Sequence, residues 1–144
     1  RILWWSLMFN IEQLEGVLLT VARPEVTIYR SPQSKTGWTI RARVMFRARR
    51  EFLIGLQRKF EQLEIESILK EKEGVNREAP ILIVGKKKSL LNLRVLMPKT
   101  LPCSHADWDK FDTVLEALNE KTHLEKEGMS LLLEMIEDER NNKG

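Results

Sequence analysis

The chain has 144 residues, 31% of them charged and 42% apolar, and its 24 Lys and Arg against 21 Asp and Glu leave a formal charge of +3. That length is one domain's worth and can bury a real core, and the mild excess of base admits an anionic partner without requiring one. A lone cysteine, Cys103, excludes an internal disulfide; the apolar run Ile2–Phe9 is far shorter than the roughly 20 residues of a membrane helix and is not framed as a secretory leader. Residues 1–9 are therefore expected to be an apolar extension that packs on a protein or RNA partner, residues 10–139 one domain, and residues 140–144 a frayed tail.

Asn10 with Gln13 three residues on is an N-cap pair, and Ile11, Leu14, Leu18 and Val21 then fall on one helical stripe that Pro24 is expected to end. "EVTIYR" alternates with period two, placing Val26 and Ile28 on one face of a strand and Thr27 and Tyr29 on the other. "SPQSKTG", Ser31 to Gly37, is dense in turn formers, and "WTIRARVMF" resumes the alternation, with Ile40, Ala42 and Val44 against Thr39, Arg41 and Arg43. These pieces predict a hairpin. "RREFLIGLQRKFEQL" changes to a period near 3.6, with Phe52, Leu53, Leu56, Phe60 and Leu63 on one face of a second helix.

"IESILKE" and "APILIVG", separated by the polar "KEGVNRE", read as a second hairpin. Three helical stretches follow: "KSLLNLRVLM", a helix opening at Ser104 with a Trp108, Phe111, Leu115, Leu118 stripe, and a last one opening near Thr122 with Met129, Leu132, Leu133 and Ile136. The order α-β-β-α-β-β-α-α-α predicts an α+β fold: one four-stranded antiparallel sheet with helices on one face and the other face free.

Several sites of common chemistry are excluded. "GKKKS" is similar to the end of a phosphate-binding loop, but Pro80 stands five residues earlier, where that loop needs a glycine. Cys103, His105 and His123 are too few for a structural zinc site and lack paired spacing, and two histidines in the whole chain form no triad pattern. No cofactor and no metal site is predicted.

The element order resembles that of the single-motif LAGLIDADG homing endonucleases and related maturases, from about Ile11 to Ile136. "PILIVGKKKSLLNLRVLM" is similar to the family's fourth strand, lysine-rich turn and following helix, "DWDKFDTVLEALNEKTHLEKEGMSLLLEMI" to its closing helices, and "HLEKEG" is the most specific piece. "LEGVLLTVA", Leu14–Ala22, takes the place of the nine-residue motif, sharing the opening Leu, the Gly at the third position and the apolar pair after it.

The resemblance implies that this helix crosses a second copy or a protein partner at close range, which accounts for an interior Gly16 that costs about 1 kcal/mol relative to Ala. Gly16 and Thr20, one turn apart, form the thin surface such a crossing needs. The resemblance also implies an acid at the eighth motif position that holds the divalent metals of phosphodiester hydrolysis, a task for hard oxygen ligands. Here that position is Val21, Glu15 comes too early on the helix, and Glu25 lies beyond Pro24. Loss of endonuclease activity is the expectation.

In the family the free sheet face is a saddle for nucleic acid. Carried onto this chain, the saddle comprises Thr27 and Tyr29, then Thr39, Arg41 and Arg43, then Arg47 and Arg49 at the strand's end, with Lys70 and Lys72 on the third strand and Lys86, Lys87 and Lys88 after the fourth. No acid stands between Trp38 and Arg50, which favours phosphate binding over a mixed solvated face. "PILIVG" is apolar on both faces, unlike a strand that reads base edges in a DNA groove. Recognition by shape and charge suits structured RNA, so the reading favours an RNA-binding ribonucleoprotein component or splicing maturase, housed in a mitochondrion or chloroplast as the resemblance implies. A DNA-binding regulator, or a homing endonuclease whose partner chain supplies the acid, stays open.

Overall fold

A computed structural model of the chain describes residues 10–72, 79–96 and 106–143. The Ile2–Phe9 extension, most of the 72–78 loop, Cys103, and the Ser104 opening with His105 lie outside them. Among the described residues five helices and four strands follow in the order α1 (Ile11–Thr20), β1 (Ala22–Arg30), β2 (Trp38–Arg47), α2 (Arg50–Gln62), β3 (Ile68–Lys70), β4 (Ile81–Val84), α3 (Lys87–Leu96), α4 (Ala106–Glu120), a 3₁₀ turn (Thr122–Leu124) and α5 (Lys126–Lys143). The strands form one antiparallel sheet ordered β1-β2-β4-β3, the α+β arrangement expected. The chain falls into two compact units, Arg1–Glu25 with Arg43–Cys103 and Val26–Ala42 with Ser104–Gly144.

In the first unit α1 opens with the predicted capping box: Gln13 N donates to Asn10 Oδ1 at 2.8 Å and Asn10 N to Gln13 Oε1 at 2.9 Å. Leu14 and Leu18 are fully buried. The helix stops at Thr20, four residues before the proline expected to end it. Val21 is the C-cap, and Arg23 Nη1 donates to the carbonyls of Thr20 and Ala22, both at 3.1 Å, which supplies a cation at the helix's negative end. Pro24 instead lies inside β1. That strand is at the sheet edge, where a residue without an N–H is tolerated.

Val44 faces Val84 and Phe46 faces Leu82 across β2 and β4, all four buried. Phe46 meets Phe60 of α2 with ring centroids 5.4 Å apart and planes tilted by 58°. Leu53 and Leu56 complete the buried face of α2, while Phe52 and Leu63 at its ends are half-buried. β3 is shorter than "IESILKE" suggests because the backbone before it is engaged elsewhere. Ile65 N turns back to Phe60 O at 2.8 Å, Glu64 takes a positive φ of 61°, Glu66 N donates to Ser89 Oγ at 2.9 Å, and the Ser67 carbonyl accepts from Gln57.

In the second unit Trp108 and Phe111 meet edge to face at 5.5 Å and 80°, above Val114 and Leu115, and α5 buries Met129, Leu132 and Ile136. Leu118 and Leu133, expected on these stripes, are half-buried. α5 spans Lys126–Lys143, and its Glu, Arg and Lys are good helix formers. Among the described residues no helix is long and apolar enough to cross a membrane.

Candidate nucleic-acid interface

Strand β2 puts Arg43, Met45 and Arg47 on the face opposite Val44 and Phe46, since side chains alternate along a strand. The cross-strand register sets Arg47 beside Ile81 and Ile81 beside Lys70, and Met45 beside Ile83 beside Ile68. This half of the face, in the first unit, is less cationic than its arginines suggest. Met45 and Ile81 are buried, and Arg43 Nε is bound to Glu25 Oε1 at 2.6 Å. β2 contains no acid, as its sequence indicates, but an acid 18 residues upstream neutralises one of its arginines. β4 is apolar on both faces as expected.

Other cations are similarly engaged. Lys86 pairs with Glu66, and Arg50 Nε donates to both oxygens of Glu71, at 2.9 and 3.1 Å. That hydrogen bond, with the carboxylate's charge, raises the Arg50 pKa above its ordinary value. Arg47 reaches the Met45 sulfur at 3.9 Å, and Lys72 is exposed but not without a partner. Arg49, Lys70, Lys87 and Lys88 are exposed and carry no ion pair among the described residues. They are the available cations among the predicted saddle residues of this unit. In the second unit Arg41 is exposed and also carries no ion pair among the described residues, Tyr29 is 47% exposed, and Thr27 and Thr39 are half-buried.

The end of α1 carries the other diagnostic geometry. Gly16 and Thr20 are exposed, Thr20 Oγ1 donates to Gly16 O at 2.7 Å, and a Cβ built on Gly16 would meet nothing within 4 Å. Nothing among the described residues therefore demands a glycine there. At Val21, whose N–H donates to Val17 O at 2.8 Å, the side chain offers no oxygen, and the nearest following acid, Glu25, is committed to Arg43. These residues do not fit a divalent metal. Among the described residues no three His, Cys, Asp or Glu stand together as a ligand set.

Sequence reasoning missed the Glu25–Arg43 pair and a pocket at the β1–β2 turn. Period-two alternation puts Glu25 and Arg43 on the outward faces of adjacent strands, a cue that the pair could exist. For the pocket the only cue is a polar turn followed by Trp38.

Solved structures match this arrangement over most of the chain. The homing endonuclease I-TnaI superposes with a TM-score of 0.72 at 20% identity, over 88% of this chain and 84% of that one. The I-LtrWI LAGLIDADG homing endonuclease bound to target DNA matches with a TM-score of 0.69 at 22% identity over 88% of this chain. The chain has the LAGLIDADG homing-endonuclease fold. I-SmaMI bound to uncleaved DNA target with calcium ions gives 0.70 at 17% identity over 86%. This chain spans only 42% of I-LtrWI and of I-SmaMI. No protein-family model and no curated protein matches the chain. The LAGLIDADG fold gives the motif assignment its geometry: Leu14–Thr20 of the motif stretch is helical, the C-cap Val21 is its eighth position, and Ala22 already opens β1.

Proposed function

We propose that the chain is a LAGLIDADG-fold nucleic-acid-binding protein that holds structured RNA without cutting it, as a component of an organellar ribonucleoprotein or as a splicing maturase. The observation that carries this reading is the end of α1, where Val21 occupies the metal-ligand position and Glu25 is tied to Arg43. Phosphodiester hydrolysis on this fold needs carboxylates on a divalent metal, and neither residue can supply one. The exposed Arg41, Lys70, Lys87 and Lys88 support phosphate binding, and the apolar β4 supports recognition by shape over base reading. Purified protein should leave both DNA and RNA uncut with Mg²⁺ or Mn²⁺, and crosslinking followed by sequencing should recover structured RNA. Cleavage abolished by a chelator, or recovery of DNA alone, overturns the reading.

A second reading is favoured by the open Gly16–Thr20 surface and by the half-length match to I-LtrWI and I-SmaMI. Here α1 crosses another chain, and a DNA endonuclease or regulator results when that chain brings the acid. Gly16→Leu separates the two readings. At this exposed position a Cβ meets no atom of the described residues within 4 Å, and leucine removes a glycine penalty of about 1 kcal/mol, so the folded chain should be as stable or more so. Any crossing partner should be lost. Light scattering that shows an unchanged assembly rules out the Gly16–Thr20 crossing.

A further inference from the structure

The β1–β2 turn in the second unit holds a partly open cavity of about 120 Å³ that no sequence motif points to. Its walls include Trp38, His123, Lys35 and the hydroxyl-bearing Ser34, Thr36 and Thr39. Among the described residues no carboxylate lines it and a lysine does, which disfavours a cation as its occupant. Its size is well below the roughly 300 Å³ at which sites for drug-sized ligands begin, so a whole nucleotide or cofactor is too large and one flat ring system is the appropriate scale.

Trp38 is held in place from two directions. Its carbonyl accepts from Ser34 Oγ at 2.8 Å and from Thr36 Oγ1 at 3.1 Å, while the Arg30 guanidinium lies over its ring, 5.2 Å from the centroid. The turn itself is closed by Ser31 N to Gly37 O at 3.0 Å and requires Gly37, whose φ of 82° is costly for any residue with a Cβ. The polar groups are complementary to a base edge. His123 Nδ1 lies 3.4 Å from the Ala117 carbonyl oxygen, which can accept from it when that nitrogen carries the proton, and the ring's other nitrogen is then left for a ligand. Thr39 Oγ1 has no partner among the described residues and is free to donate, and Lys35 adds a second donor.

We infer that this cavity takes one unpaired nucleobase of a bound strand, stacked on or against Trp38 with its edge toward Thr39, Lys35 and His123. An indole with polar groups at its edge is how proteins hold splayed bases, and a single exposed lysine beside an aromatic residue suits a base better than a phosphate. The inference rests on the nucleic-acid reading and adds to it that an unpaired base is recognised.

The test uses the full chain, a short single-stranded RNA carrying one 5-iodouridine, an RNA duplex of the same length, and uridine monophosphate. Photocrosslinking should join the iodouridine to the peptide containing Trp38 or His123. Trp38→Ala should weaken single-strand binding by about 5- to 160-fold, the range that stacking of one base implies, and leave duplex binding in place. His123→Phe, which keeps a flat ring and removes its nitrogens, should weaken the single strand alone and serves if Trp38→Ala disturbs the turn. Crosslinks elsewhere, or single-strand affinity unchanged in both variants, overturn the pocket while salt-dependent duplex binding keeps the basic-face reading. Absence of binding to either RNA overturns both. Uridine monophosphate binding as tightly as the strand, with the same dependence on Trp38, makes the ligand a free nucleotide and overturns the assignment to a strand.

Discussion

On one face of β2, Ile40, Ala42, Val44 and Phe46 are all buried, whereas the other face runs from exposed Arg41 through ion-paired Arg43 and buried Met45 to half-buried Arg47. The first face follows from period two alone, because burying an apolar side chain needs only a core on that side. The second does not. Whether an arginine there can meet a phosphate depends on acids that arrive from elsewhere in the chain, Glu25 for Arg43 and, by the same logic, Glu66 for Lys86.

The largest expected effect belongs to the regular face. Phe46 is fully buried, opposite Leu82 and against Phe60, so Phe46→Ala should cost about 3–5 kcal/mol in a denaturant melt. Arg41→Gln, on the exposed side of the same strand, should stay within about 0.5 kcal/mol of the parent. Equal losses from the two would mean that the faces are not distinguished by burial.

Binding sharpens the comparison on the irregular face. Arg41 and Lys70 are exposed without an ion pair among the described residues, so each is available to neutralise a phosphate. Replacing both with Gln should make the slope of log affinity against log salt shallower by roughly 1.4 on a single strand, about 0.7 for each phosphate that is no longer neutralised. Arg43→Gln should change that slope less than either alone, because its charge is already met by Glu25. A salt titration in which Arg43→Gln had the greatest effect would show that the pair opens to the nucleic acid.

Much of the fold is legible in the sequence because its signals are local. The Asn10–Gln13 box, the Leu14–Leu18 stripe, the alternation of β2 and the Trp108–Phe111–Leu115 stripe each lie within a few residues of chain, and each recurs in the structure. What local signals misplace depends on distant groups. Pro24 has the signature of a stop for α1, but its effect is permissive in an edge strand, and only the sheet order makes β1 an edge. β3 loses its first residues to a bond that Glu66 N donates to Ser89, 23 residues away in sequence, and to one that the Ser67 carbonyl accepts from Gln57, 10 residues away. The candidate interface shows the same division: the alternation displays which side chains point outward, but not which of them are already neutralised.

The smallest expected effect is also the one that most directly tests that division. Glu25→Gln removes the carboxylate's charge while keeping its length and an oxygen that can still accept from Arg43 Nε. The Glu25 and Arg43 side chains are 33% and 27% exposed, and pairs near the surface contribute up to about 1 kcal/mol, so the stability loss should not exceed that. Arg43 then carries an uncompensated charge on the outward face of β2. If that face meets phosphates, the salt slope should steepen by up to roughly 0.7 on a single strand, with affinity at low salt rising accordingly. The gain should vanish in the Glu25→Gln/Arg43→Gln double variant, which leaves no charge to gain. An unchanged slope in the single variant, with the fold intact by melt, would place Arg43 away from the bound strand and restrict the interface to Arg41, Lys70 and the lysines that open α3.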